Sequence, residues 1–298
     1  MHSRKHFIFG AVFGAILLFS FLFSFPDGKL HIIFCNVGQG DATYIRTPSN
    51  LDMLIDGGPN DQVLSCLGKH MPFYDRTIDV VVLSHPQKDH LQGLLSVLKR
   101  YHVKNFIIGA VGNETEGYKK LVEIVKEKKI PVKNLYAGDS FSLGKVEFSV
   151  LWPEKEWVVE HTSETIASDR TRNLQVGAVL GLSTDTELND FSYILHLSYG
   201  SFDALFPGDG DSHIQDEVMR AAVLPDVEVL KYPHHGSKTA VLPQFLDKIK
   251  PEEAVIFVGK NHWGHPTDEA LKLLSNRAVK IRRTDREGEI EIISDGKN

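Results

Sequence analysis

The residues best suited to chemistry lie in Ser84-His85-Pro86-Gln87-Lys88-Asp89-His90. His85, Asp89 and His90 bring imidazole and carboxylate together in one short loop, a donor mixture that borderline cations such as zinc and manganese accept. Four more loops offer the same residue types. Asp56 lies in Leu54-Ile55-Asp56-Gly57-Gly58 and Asp209 in Phe206-Pro207-Gly208-Asp209-Gly210. His234 and His235 lie in Tyr232-Pro233-His234-His235-Gly236-Ser237, and His265 in Asn261-His262-Trp263-Gly264-His265-Pro266. Any one of these reads as a plain turn, and Asp89 alone as a helix cap. Their repetition behind apolar segments points instead to a shared metal site. The glycines and prolines beside them allow a sharp turn at a sheet edge, so that polar side chains can reach a common cleft.

The elements that must position these loops follow from periodicity. Asp79-Val80-Val81-Val82-Leu83 reads as a buried strand, and Leu91, Leu94, Leu95 and Leu98 have helical spacing behind it. Further strands are expected over 30–35, 41–46, 52–55 and 106–108. Strand pairs are expected over 142–151 and 191–206, the second turning at Tyr199-Gly200-Ser201. Helices are expected over 60–70, 91–101 and 113–129, with Leu121, Ile124 and Val125 on the inner stripe of the last. A strand-loop-helix rhythm continues over 227–232, 242–250, 254–258 and 267–274, and the chain closes on a predicted hairpin, 280–283 with 289–293. This order implies an α/β (α+β) architecture of two sheets packed face to face with helices outside. Residues 154–189 are polar and aperiodic, a surface excursion or lid in which His161 is solvated. His196, mid-strand, reads as a surface residue.

At 298 residues, with 42% hydrophobic and 24% charged positions, the chain has the composition of a folded globular protein. A formal charge of −6 gives no global attraction for nucleic acid, so such binding needs a local basic patch. Lys88, Lys231, Lys238 and Lys260 flank the ligand loops and read either as such a patch or as solvated surface. Cys35 and Cys66 are too few for a zinc knuckle or a disulfide framework, and Cys35 reads as a small core residue rather than half of a bridge. His2, Arg4, Lys5 and His6 precede an uncharged apolar stretch over 7–25, long enough at roughly 1.5 Å per residue to cross most of a bilayer. Basic residues ahead of it predict a cytoplasmic amino terminus with the remainder outside. A cleaved signal peptide is the alternative, giving a secreted product; the length and the lack of an A-x-A-like site before Pro26 favour an anchor.

The ordered set Gly38-Gln39-Gly40-Asp41, Ile55-Asp56-Gly57-Gly58, His85 to His90, Pro207-Gly208-Asp209, His234-His235-Gly236-Ser237 and Gly264-His265-Pro266 resembles the metallo-β-lactamase fold. In particular it is similar to the soluble hydrolase domain of the ComEC competence proteins, which are associated with DNA uptake. The resemblance covers essentially everything after Leu30. It implies a four-layer αββα metallo-β-lactamase sandwich over 30–298, following one transmembrane helix or signal segment within 1–29, with the metal site at one edge of the sheets.

Carried over by position, the family's H-x-H-x-D-H motif implies His85, Asp89 and His90 as ligands. Asp209 is implied as a carboxylate bridging two metals, and His234 or His235 as the late ligand, with His235 preferred. Asp56 is expected behind a ligating imidazole, with Asp41 supporting the same loop. Asp89 and His265 are the expected catalytic residues, Asp89 orienting water and His265 touching a substrate oxygen or completing the site. Gln87 stands in place of the motif's middle histidine, and 189–192 offers no counterpart for a further family histidine. One metal position, served by His85, is therefore thinly ligated, whereas the other is complete. Asn36 also replaces an aspartate common at the start of the Gly-Gln-Gly-Asp loop.

The function implied is a membrane-anchored hydrolase with one or two zinc or manganese ions. Its implied substrate is DNA outside the cytoplasm, cleaved as by a phosphodiesterase or nuclease, and its implied partner is a competence-type membrane channel. A hydrolase of a small ester or lactone, and a catalytically silent binding protein favoured by Gln87, are the alternatives.

Overall fold

Alternation along the first strand already divides the interior. In β1 (Leu30–Phe34), Leu30, Ile32 and Phe34 join one apolar cluster, while Ile33, with Cys35 just beyond, joins another. A pleated strand buried on both faces requires this. The computed structural model describes residues 27–163 and 181–297, with a few isolated positions nearer the amino terminus, and it extends the pattern into two seven-stranded sheets. The first runs in neighbour order through β1, β2 (Thr43–Arg46), β3 (Asp52–Ile55), β4 (Thr77–Leu83), β5 (His102–Ile108) and β6 (Val132–Lys133). The second runs through β7 (Ser140–Leu143), β8 (Val146–Trp152), β9 (Ile194–Tyr199), β10 (Phe202–Phe206), β11 (Val229–Lys231), β12 (Glu253–Ile256) and β13 (Lys280–Arg283). The last strand, β14 (Ile290–Ser294), returns to the first sheet and pairs antiparallel with β1.

Between the sheets lie Ile32, Phe34, Val82, Phe148, Leu197 and Phe206. Against the outer face of the first sheet, α1 (Gln62–His70), α2 (Lys88–Leu91), α3 (Leu94–Arg100) and α4 (Glu116–Glu127) bury Leu67, Leu91, Leu98, Leu121, Ile124 and Val125. After α5 (Lys155–Glu160), a second helical layer formed by α6 (Ser212–Ala221), α7 (Pro243–Ile249) and α8 (Asp268–Ser275) buries Ile214, Val218, Phe245, Leu246 and Leu274. The expected mixed α/β two-sheet sandwich is therefore observed.

Several local expectations are corrected. The terminal hairpin does not form, because β13 and β14 belong to different sheets and α9 (Thr284–Glu287) carries the chain between them. The unpaired edge of β1 recruits the last strand. The helix expected over 91–101 is two pieces, α2 and α3, separated around Gly93, whose Cα packs against the backbone of Gly57. Cys35 and Cys66 are joined in a disulfide, with Cα atoms 5.8 Å apart, because the outer face of β1 packs directly under α1. His161 is stacked on Trp157 at 4.1 Å between ring centroids rather than solvated. His196 is half-buried and tied across the β9–β10 pair to Asp203 at 2.7 Å. No helix among the described residues is long and apolar enough to cross a membrane. The apolar segment 7–25 and the central part of the 154–189 excursion lie largely outside the described residues.

Strands β3 to β5 run parallel, as do β10 to β13. The loops after β3, β4, β10 and β11 therefore leave from corresponding strand ends, and these are the loops that carry Asp56, His85 to His90, Asp209 and His234-His235.

Candidate metal centre

Asp56 leaves β3 in the left-handed region (φ 61°), which aspartate tolerates. Its carboxylate accepts from the Ser84 backbone N–H at 2.8 Å and from the Ser84 hydroxyl at 2.7 Å. It also lies 2.8 Å from His90 Nδ1. The Gly57 N–H donates to the His90 carbonyl at 2.7 Å, so the β3 loop holds both the ring and the backbone of His90. With Nδ1 engaged, His90 turns Nε2 inward, where it is buried without a hydrogen-bond partner.

The loop after β11 is shaped by three successive residues of positive φ, His234 (47°), His235 (52°) and Gly236 (84°). This bend sends the two imidazoles in different directions. His235 is buried, with Nδ1 3.4 Å from Asp41 Oδ1 and Nε2 3.3 Å from Asp89 Oδ2 and 3.4 Å from Asp209 Oδ2. His234 instead turns Nδ1 towards Asp211 Oδ2 at 3.9 Å and its ring towards His265 at 5.9 Å. Of the pair, only His235 joins the converging donors.

His90 Nε2 lies 3.3 Å from Asp209 Oδ2 and 3.9 Å from Asp89 Oδ2. Donors bonded at about 2.1 Å to a tetrahedral divalent ion stand about 3.4 Å from one another. The separations of Asp89 and Asp209 Oδ2 from His90 and His235 Nε2, 3.3–3.9 Å, bracket that value, and the donor set of two carboxylates and two imidazoles fits such an ion. Asp41 also approaches, since Asp41, His90, Asp209 and His235 each present an atom within 4.8 Å of the others. It faces the Nδ1 side of both rings, however, at 3.4 Å from His235 and 3.9 Å from His90. Asp41 thus stands behind the imidazoles, as Asp56 does.

No protein-family model matches the chain. It is 26% identical over 296 residues to ComE operon protein 3 of Bacillus subtilis (strain 168), covering 91% of this chain and 34% of that protein. It is 24% identical over 274 residues to competence protein ComA of Neisseria gonorrhoeae, covering 89% of this chain and 32% of that one. The chain spans about a third of the length of these curated relatives. Among solved structures, the metallo-beta-lactamase fold protein YhfI from Bacillus subtilis aligns with a TM-score of 0.52 at 11% identity, over 89% of this chain and 99% of that one. The chain has the metallo-β-lactamase fold.

Within this metallo-β-lactamase sandwich the remaining expected residues lie around the converging donors. The His85 ring packs on His90 at 4.2 Å between centroids, with Nδ1 3.1 Å from the Ser84 hydroxyl and Nε2 buried and unpartnered. Gln87 and His265 line a cleft of about 540 Å³ that opens onto Asp89, Asp209 and His235. His265 is held through its backbone: Asn261 Oδ1 accepts from its N–H at 3.0 Å, and Asn261 Nδ2 donates to its carbonyl at 2.8 Å.

Burial disfavours charge on every group here, and the neighbours decide the outcome. It opposes a charged His90, but Asp209 and then Asp56, Asp41 and Asp89 hold that imidazole's pKa well above the ordinary range. Burial and the adjacent His90 push His85 down to about 4. Burial also works to raise Asp209, yet His235, Lys231 and His90 keep it well below the usual carboxylate range. Asp89 is likewise lowered, because His90 and His235 outweigh its desolvation. Asp41 is raised by burial despite Lys231. His265 is lowered, by burial and then by His234 and His235.

Lys231 is the principal correction within the site. It is neither solvated nor available to a phosphate. Its side chain is 3% exposed, and Nζ donates to the Gly208 carbonyl at 2.6 Å and Asp209 Oδ1 at 3.2 Å and pairs with Asp41. A lysine ending an apolar strand immediately before a ligand loop was the available signal. Ser84 was also missed as a structural partner, although it sits between the strand and His85. Lys88, Lys238 and Lys260 are exposed.

Proposed function

We propose that this chain is a metal-dependent hydrolase that cleaves phosphodiester bonds of DNA. The convergence of Asp89 Oδ2, His90 Nε2, Asp209 Oδ2 and His235 Nε2 at 3.3–3.9 Å carries the reading. These four side chains would hold zinc or manganese, both of which accept this donor set. Bound there, the cation supplies activation of water near neutral pH and offsets the charge that gathers in the transition state. Asp56 holds His90 by Nδ1 and so aims its Nε2 inward, while Asp41 lies 3.4 Å from His235 Nδ1 on the far side of that ring. Asp89, whose side chain is 33% exposed against 2% for Asp209, borders the cleft and orients the attacking water. His265, kept neutral by its surroundings, faces the same cleft and contacts a substrate oxygen.

Similarity to a competence protein favours DNA as the substrate, and exposed Lys88, Lys238 and Lys260 provide local positive charge on an acidic chain. The 7–25 segment anchors the chain in the membrane with the hydrolase outside the cytoplasm, beside a competence-type channel. A buried disulfide supports an oxidising location.

The test is hydrolysis of a generic aryl phosphodiester and of DNA strands by protein loaded with manganese or zinc. Turnover is expected in the wild type and is abolished in Asp209→Ala and His90→Ala. Equal rates in wild type and variants, or turnover confined to esters and lactones, would refute the proposal.

A further inference from the structure

We infer that Lys231 engages one oxygen of Asp209 and supplies the positive charge a second cation would bring there, so that the centre takes a single divalent ion per chain. The inference rests on the reading that the centre binds a cation. A carboxylate bridges two ions by giving one oxygen to each or by sharing a single oxygen between them, and with Oδ1 engaged Asp209 has lost the first of these modes. Its Oδ2 faces His90 Nε2 at 3.3 Å and His235 Nε2 at 3.4 Å. Its Oδ1 accepts from the His234 backbone N–H at 3.0 Å and from Lys231 Nζ at 3.2 Å, which occupies both lone pairs.

The ammonium is built into the fold rather than resting against it. It ends β11 inside the second sheet, and its three N–H groups meet three acceptors: Gly208 O, Asp209 Oδ1 and Asp41 Oδ2. A fixed positive charge between Asp41 and Asp209 performs the neutralisation that a second ion would otherwise supply there. The surroundings of His85 agree. Its loop lines the cleft with Gln87, Lys88 and Asp89; Asp89 already faces the converging imidazoles, and Gln87 is a carboxamide, a far poorer ligand than imidazole. Among the described residues, His196 is committed to Asp203 and His234 turns towards Asp211. Lys231 is thus a positioning residue, setting Asp209 to ligate through Oδ2 alone.

Metal content tests this directly. The protein is saturated with Mn(II), desalted and analysed for ions per chain, with electron paramagnetic resonance as a second readout. One ion per chain and a spectrum free of exchange coupling are expected. Two ions with exchange coupling overturn the inference while leaving the metal-dependent reading intact, whereas no retained ion overturns both.

Variants separate the role of Lys231 from mere packing. Gln87→His places a new imidazole beside His85 and is expected to leave the content at one ion, because Lys231 still holds Oδ1. A rise to two ions in that single variant overturns the inference. Adding Lys231→Gln, with folding verified by circular dichroism, is expected to admit the second ion. A folded double variant that stays at one ion shows that something else excludes it, and likewise overturns the inference.

Discussion

Reducing the Cys35–Cys66 bond is expected to cost the fold about 3.7 kcal/mol. The bridge spans 31 residues of sequence. Closing a loop of that length in the unfolded chain removes roughly 12 cal/mol/K of entropy, or about 3.7 kcal/mol at 25 °C. Both sulfurs lie in the packed core, at 0% and 1% exposure, so reduction removes little buried apolar surface and the unfolded chain carries most of the effect. The closed loop also contains Asp41 and Asp56, the two carboxylates behind the imidazoles. Urea denaturation followed by tryptophan fluorescence, with and without dithiothreitol, measures the difference. At a slope of about 2–3 kcal/mol per molar, the midpoint falls by roughly 1–2 M on reduction. Coincident midpoints refute the reasoning about the unfolded chain, and two titratable thiols in the unreduced denatured protein refute the bridge itself.

Four further outcomes are expected. Asp56→Asn, which keeps the left-handed backbone but weakens the grip on His90 Nδ1, lowers cation affinity by about 10- to 100-fold in chelator competition; wild-type affinity would contradict the assigned support. Because the carboxylates around His90 hold its pKa above the ordinary range, a proton competes with the cation at Nε2. Cation retention therefore falls as pH drops through that raised pKa, while Asp209, held low, adds no loss there; equilibrium dialysis showing flat affinity would count against this. Burial opposes ionisation of Glu289, but Lys69 and His70 lower its pKa nonetheless. Its contribution is present above the ordinary glutamate range and is lost as pH falls through the depressed value, so Glu289→Gln costs roughly 0–1 kcal/mol near neutrality and less in acid, read from denaturation midpoints. Finally, a Cβ at Gly259 would collide with the backbone of Gly38 and Gln39. Gly259→Ala is expected to cost about 1–3 kcal/mol and to loosen the loop that delivers Asp41, measured by thermal melting and cation affinity together.

Strands and the loops that could carry ligands were legible in the amino-acid order, because both leave local signatures. The apolar runs of 30–34 and of β4 mark strands without reference to anything distant. Glycine beside Asp56, Asp209 and His235 marks the turns that follow. What the tertiary structure alone decided concerns neighbours far apart in the chain. His234 and His235 are chemically identical and adjacent, and only the left-handed bend and the position of Asp41 separate their directions. Lys231 ends an apolar strand, but its local context does not name its partner, because Asp41 stands 190 positions earlier and meets it only in the interior. The Cys35–Cys66 bridge and the return of β14 to β1 depend likewise on which layers pack together. Spacing constrains residues within a few positions, whereas burial and charge compensation between distant segments are settled only when the sheets and helices close on one another.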